Sequence, residues 1–333
     1  MTAFVCVRVD MKYLGSSAFM LSFALVAAFL TNLAGIFPAS VLTPPVRSNL
    51  TLFLLAGMMT LSFSRIPVRD LNLNPFRESR SLIRGLLMGL VIPAIIPVAG
   101  YLVLKRTDYG DYAAGLVFIA ATPFAASVVP LSLILRGDMV YAARATIFTY
   151  IAALIWIPCV AYGLLGTLVD MRALVAAVLA VIALPLVVSR CFVNVAIDRA
   201  KLAVVLNGVI FILVWLSVSA ADFRSVAPVI LLAVMLVIVL RTFALGLAVD
   251  VVERKLGISR AQRVSDILIA SYKNKGVAIA LCVSAMGPLV PKAMAAIAAS
   301  IVVEVCWVIY MDSVLFSEKK PVSADQSTLA AKG

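Results

Sequence analysis

The segment Ser271-Tyr272-Lys273-Asn274-Lys275-Gly276 places two ammonium groups, an amide and two hydroxyls inside an apolar run, SDILIASYKNKGVAIALCVSAMG. A lysine at the centre of a spanning helix costs ~2.5–3.5 kcal/mol on insertion scales, and this run carries two. As a loop, with 265–270 part of an amphipathic segment, it leaves the apolar run Gly276–Met286 too short to cross a bilayer alone. A helix unwound at the membrane midplane fits better. Gly276 then permits unusual backbone angles at the restart. The half-helix beginning there aims its N–H groups and positive dipole end into the gap. Ammonium groups beside such a terminus suit the binding of a carboxylate or similar anion.

A second segment, AAGLVFIAATPFAASVVPLSLILRGD, carries Pro123 and Pro130 seven residues apart, with small residues between them. Each proline lacks an N–H and clashes with the preceding turn. Freed carbonyls cost several kcal/mol each in lipid, so a break here must face protein or water. Thr122 and Ser127 supply hydroxyls at that place. An ordinary proline kink is the alternative to a functional break.

The elements that position these residues follow from composition. Hydrophobic residues make up 64% and charged residues 13% of 333, against ~45–50% and ~25% in soluble domains. Such a chain excludes a cytosolic enzyme, a disordered tail and a secreted disulfide scaffold. Histidine is absent, which removes His–Cys zinc sites, haem-ligating histidine and Ser-His-Asp catalysis. Cys6, Cys159, Cys191, Cys282 and Cys306 have no C-x-x-C spacing and read as small core residues. The net charge of +12 comes in short basic runs between apolar segments, which is a topology signal and not a nucleic-acid-binding face.

Ten runs approach the ~20 apolar residues of a spanning helix: 16–36, 49–64, 84–104, 113–135, 143–166, 172–189, 203–221, 226–249, 265–286 and 290–315. With the N-terminus inside, and residues at span ends counted with the adjoining loops, inside segments hold 19 Lys and Arg, outside segments 6 and span interiors 3, which accounts for all 28. The asymmetry obeys the positive-inside rule and places both termini in the cytoplasm. The first residues show no cleavable signal peptide, and Met11-Lys12 is an alternative start. Residues 1–316 are expected to form one transmembrane domain, and 317–333 a disordered cytoplasmic tail.

Ten spans divide into two fives, 16–166 and 172–316, and an odd number per half forces opposite orientations. That is an inverted repeat. The basic stretch containing DLNLNPFRESRS follows span 2, whereas RCFVNVAIDRAK precedes span 7. Spans 4 and 9, the fourth of each half, are the interrupted ones. The expected fold is thus an all-α polytopic membrane protein with interrupted, crossing helices 4 and 9.

This plan resembles the bile acid:sodium symporter family. The family's span 4 has a proline, small residues and a short helix ending in a basic residue, Gly and Asn. Here Pro123 is followed by Leu131-Ser-Leu-Ile-Leu-Arg136-Gly137-Asp138. The family's span 9 has Asn-Ser-Gly-Leu-Ala, and here Asn274-Lys-Gly-Val-Ala278 stands. The resemblance implies two sodium ions at the crossing of spans 4 and 9, beside an organic-anion site. It also implies a core of spans 3–5 and 8–10 that moves against a panel of spans 1, 2, 6 and 7. The sodium ligands it implies are missing. A Ser-Asn pair is replaced by Val128-Val129, a Glu by Ile269 and a Gln by Lys273, leaving Thr146 as a surviving hydroxyl. Sodium favours carboxylate and carbonyl oxygen, so both sites should be lost.

An ammonium in place of an ion is a built-in cation. Lys273, held away from water, could also release and take up a proton, so that proton coupling replaces sodium coupling. Glu304, alone in span 10, is its expected partner, and Asp266 the second choice. A static ion pair, or lysines snorkelling to a vestibule, are the alternatives. The expected function is a secondary transporter of a small organic anion in the plasma (inner) membrane, sodium-independent and open to proton coupling. A sodium-coupled symporter, an arsenite-type permease and a polytopic membrane enzyme are the competing classes. The metalloid permease is disfavoured because its span-4 Cys is missing beside Ala121, Thr122 and Ala126. The enzyme is disfavoured because no D-x-x-D or E-x-x-E pair occurs within a span. The site residues are Thr122, Ser127, Thr146, Ser271, Lys273, Asn274, Lys275 and Glu304, with Pro123, Pro130 and Gly276 breaking helices. No cofactor, metal or nucleic acid is expected. The partners are an organic anion, a coupling ion and the bilayer, with a homodimer left open.

Overall fold

The computed structural model describes residues 17–64, 79–125, 127–168, 170–193, 195, 198–219 and 228–316. The two candidate start sites, residues 65–78 of the basic loop and the tail 317–333 lie outside these residues. The described chain is helical nearly throughout, and its only bridge-type pairing is between Phe124 and Lys273.

Apolar runs between polar or proline-containing turns set the helices. α1 (Ser17–Ala34) leads to α2 (Pro44–Ser64), which opens on a proline where a missing N–H costs nothing. α3 (Arg80–Leu104) follows. α4 (Gly110–Ala121) and α5 (Val128–Ile134) flank a non-helical stretch. Next come α6 (Met139–Leu165), α7 (Met171–Phe192), α8 (Arg199–Ser219) and α9 (Pro228–Lys255). α10 (Arg260–Ser271) and α11 (Lys275–Ala285) flank a second non-helical stretch, and α12 (Val290–Tyr310) closes the described chain.

Among the described residues, 5 helices are long and apolar enough to cross a membrane: α3, α6, α7, α9 and the one containing α12. Shorter apolar stretches lie in α1, α4, α8 and α11. Phe53, Ile155, Val229 and Leu232 are each more than 70% exposed on outer helix faces. Water would not tolerate so much apolar surface, whereas lipid does. The protein is therefore a multi-pass, all-helical membrane protein. The cysteine expectation needs correction: Cys282 is buried, but Cys159, Cys191 and Cys306 are exposed. In a membrane protein an apolar run faces lipid as readily as core.

α4 is the most enclosed element, buried at every residue from Ala113 to Ala121. It packs against α3, α6 and α12. A Cβ on Gly115 would sit 2.1 Å from the Ala293 carbonyl oxygen. The α4 and α12 backbones thus touch through small residues, the usual device for packing helices in lipid. α1 lies along α8.

α3, α7 and α9 each contain a π turn, at Leu87–Val91, Leu179–Ala183 and Leu240–Ala244. In α3 and α7 the wide turn comes just before Pro93 and Pro185, which cannot donate to the carbonyl four residues back. In α9 it carries Arg241.

Candidate functional site

The two non-helical stretches meet. Pro123 restricts the residue before it to extended angles, and Thr122 accordingly leaves α4 at φ −75°, ψ 145°. Tyr272 leaves α10 at φ −114°, ψ 93°. The Ala125 N–H donates to the Tyr272 carbonyl at 3.0 Å, and the Asn274 N–H to the Pro123 carbonyl at 2.9 Å. Each break thereby satisfies backbone groups of the other, as a break at membrane depth requires.

Two expectations change here. Pro130 is the third residue of α5, in a first turn where the N–H has no intrahelical acceptor. Pro123 alone therefore breaks the helix. Gly276 has no positive φ and is an ordinary helical residue of α11. Its lack of a Cβ makes room instead, since a Cβ there would stand 2.6 Å from Leu55 Cδ1 of α2. The restart is made by Asn274, whose side chain accepts from the Val277 N–H at 3.0 Å as an N-cap.

Lys273 is 1% exposed. Its Nζ donates to the Gly89 carbonyl at 2.9 Å and the Thr122 carbonyl at 2.6 Å. Both acceptors are freed by proline. Pro93 has no N–H for Gly89, and Pro123 ends the ladder at Thr122. A Cβ on Gly89 would meet Phe124 at 2.9 Å, so this glycine also lets α3 approach the crossing. The expected side-chain pair of Lys273 with Glu304 is replaced by these carbonyls. Only the Lys273 backbone N–H reaches Glu304, at 3.3 Å. Asp266, the second choice, pairs elsewhere, with Arg84 and Tyr141.

Glu304 pairs instead with Lys275, whose Nζ is 2.7 Å from Oε1, and with Arg241, in close contact with the same oxygen. Arg241 is fully buried, and its Nε and Nη2, like Glu304 Oε2, find no hydrogen-bond partner among the described groups. Tyr150 of α6 ties the breaks from the other side. Its hydroxyl donates to the Phe124 carbonyl at 2.8 Å and accepts from Asn274 Nδ2 at 2.6 Å. The Ser271 hydroxyl accepts from Trp307 Nε1 at 2.7 Å and donates to the Ile267 carbonyl. Ser127 and Tyr272 lie on the same cavity wall at the crossing.

A small cavity of about 70 Å³ lies against this knot. Ser127, Lys273, Asn274, Lys275 and Glu304 line its polar side, and residues of α2 and α8 its apolar side. Thr122 contributes its carbonyl, while its hydroxyl turns back to Ile119. Thr146 is buried, but its hydroxyl goes to the Ala142 carbonyl of its own helix at 2.7 Å. Of the expected polar residues, Ser127, Lys273, Asn274, Lys275 and Glu304 line the cavity, whereas the hydroxyls of Thr122, Thr146 and Ser271 bond elsewhere. Arg241, Tyr150 and Gly89 were not singled out from sequence. Arg241, a lone charge inside a long apolar run, carried the signal. The Gly89–Pro93 spacing carried a fainter one.

The crossed, broken helices thus hold charged groups at a buried knot. Residues 50–240, more than half of the chain, match the sequence profile of the Sodium Bile acid symporter family. The chain belongs to that family, whose members are membrane transporters and not enzymes. The matched stretch includes the first break and ends before Arg241, so the second break and Glu304 lie beyond it. No individual curated protein matches the chain.

Proposed function

We propose that this protein is a secondary transporter of a small organic anion that works without sodium. The carrying observation is the Lys273 ammonium held by the Gly89 and Thr122 carbonyls at the crossing. Backbone carbonyls are ligands for sodium, and here a tethered cation uses them. Val128 and Ile269, both buried and apolar, stand where the resemblance called for polar ligands. Lys273, Lys275 and Arg241 face one carboxylate, Glu304. The surplus is positive and borders the cavity, which favours an anionic ligand. The α11 N-terminus adds to it. The paired breaks support an inverted arrangement of two five-helix halves, in the plasma (inner) membrane with both termini cytoplasmic. Thr122, Ser127, Ser271, Asn274 and Glu304 shape the site, with Pro123 and Gly276 setting its backbone.

The test is uptake into vesicles reconstituted with the full chain. Taurocholate and short mono- and dicarboxylates serve as probes, chosen by a thermal-shift screen at several pH values. Accumulation should be equal in sodium and potassium media. Uptake that stops without sodium refutes sodium independence, and binding of none of these anions refutes the substrate class.

A further inference from the structure

Away from the crossing, four helices bring polar groups to one buried point. Arg84 of α3 places Nη2 2.5 Å from Glu253 Oε1 of α9 and 2.8 Å from Asp266 Oδ2 of α10. Tyr141 of α6 donates its hydroxyl to Asp266 Oδ1 at 2.7 Å. The Glu253 and Asp266 side chains are 3% and 0% exposed. The other charges facing this point are already matched. Asp250 of α9 takes Arg254 at 2.7 Å and Arg263 of α10 at 3.4 Å. α5, also against α10, brings the Ser132 hydroxyl, which is bonded to Ser265.

One guanidinium therefore serves two carboxylates. Glu253 Oε2 and Asp266 Oδ2 have no hydrogen-bond donor. Asp266 Oδ2 is close to Arg84 but outside hydrogen-bonding geometry, so that contact is an ion pair only. Both carboxyl groups contact the same Arg84 nitrogen, at 2.5 and 2.8 Å, which brings them side by side. Ionised carboxylates only accept, and two buried acceptors facing each other without a donor are incomplete. A proton on either one completes the pair.

We propose that Glu253 and Asp266 form a proton-binding site, holding one shared proton between α9 and α10. Arg84 is 27% exposed, so its side chain links the buried pair to the protein surface. Asp266 rides on α10, which runs directly into the crossing at Tyr272 and Lys273. Loss of the proton adds a negative charge to α10 and tightens its hold on Arg84 of α3, while protonation loosens it. This role as the coupled ion rests on the transport function proposed above.

Infrared titration of the full-length protein in lipid nanodiscs reads the proton directly, because a carboxyl C=O stretch is absent from carboxylates. The expected result is a carboxyl band that disappears as the sample is made alkaline and is lost in both Glu253→Gln and Asp266→Asn. A wild-type spectrum with no titrating band, or a band that persists in either variant, overturns the proposal. If Glu253→Gln does not fold, the wild-type titration and Asp266→Asn still decide. The readout needs no transported ligand. A missing band removes the proton site and leaves the transport function standing, whereas failed uptake with the band intact does the reverse.

Discussion

Lys273→Met keeps most of the side-chain length and deletes the ammonium. In the native protein Nζ donates to two buried carbonyls, at 2.9 and 2.6 Å. Hydrogen bonds from charged groups contribute ~1.5–3 kcal/mol each. The orphaned carbonyls have no substitute donor, because Pro93 cannot serve Gly89 and the chain is extended after Thr122. Glu304 keeps Arg241 and Lys275, so no new unpaired charge arises to obscure the result. The expected loss is about 3–5 kcal/mol. At roughly 2 °C per kcal/mol for a chain of this size, the apparent Tm falls by about 6–10 °C. Lys275→Met is the control. It removes one ion pair from a carboxylate that retains another partner, so the fall should be about a third as large. The assay is thermal unfolding of purified wild type and both variants in sodium and in potassium buffer. A Lys273→Met protein melting within about 1 °C of wild type would refute the carbonyl ligation. A wild-type Tm that rises specifically with sodium would refute the tethered-cation account.

Glu304→Gln leaves Arg241 and Lys275 buried without a counter-charge, so it should cost about 3–5 kcal/mol in the same melts. The triple change with Arg241→Met and Lys275→Met should recover most of that loss while abolishing anion uptake. Gly115→Ala forces a Cβ to 2.1 Å from a backbone oxygen, which no rotamer change relieves, so folded yield in membranes should collapse. Tyr150→Phe removes one hydroxyl bridging Phe124 and Asn274 and should lower stability by about 1–2 kcal/mol, with slower uptake from a looser crossing.

Periodicity and apolar length carried the helices. α3, α6, α7, α9 and α12 are long uniform runs, and both breaks announced themselves by residues that lipid rejects. The detail within the breaks was not legible, for physical reasons. Pro123 and Pro130 look alike in sequence, but only the position of the helix start decides which one disrupts it. Gly276 invites an argument about backbone angles, yet its use is steric and depends on Leu55, more than two hundred residues away. The partner of Lys273 could not be read from charge alone, since the ammonium went to carbonyls freed by prolines in α3 and just after α4. Arg84, Glu253 and Asp266 converge from separate helices, with no spacing rule to join them.

The proposed sodium independence has an electrostatic argument in the charge arrangement at the crossing. Lys275 and Arg241 share a single carboxylate, Glu304, while the Lys273 ammonium is held by carbonyls close by. A sodium ion 4 Å from one ammonium would be repelled by about 4 kcal/mol at an effective dielectric of 20. Its carbonyl ligands are also already taken. An anion in the cavity meets the opposite balance, because Lys273, Lys275 and the N-terminal end of α11 border it. The substitution of Lys273 therefore does two things at once. It removes the need for an external cation to hold the broken helices together, and it leaves behind a fixed positive charge that must be either neutralised by the carried anion or offset elsewhere. A carrier built this way should return across the membrane more slowly when empty than when loaded, because the uncompensated charge at the crossing must move through the low-dielectric interior. Counterflow exchange of one labelled anion should accordingly outpace its net efflux. Equal rates would mean that the fixed charge does not limit the empty carrier.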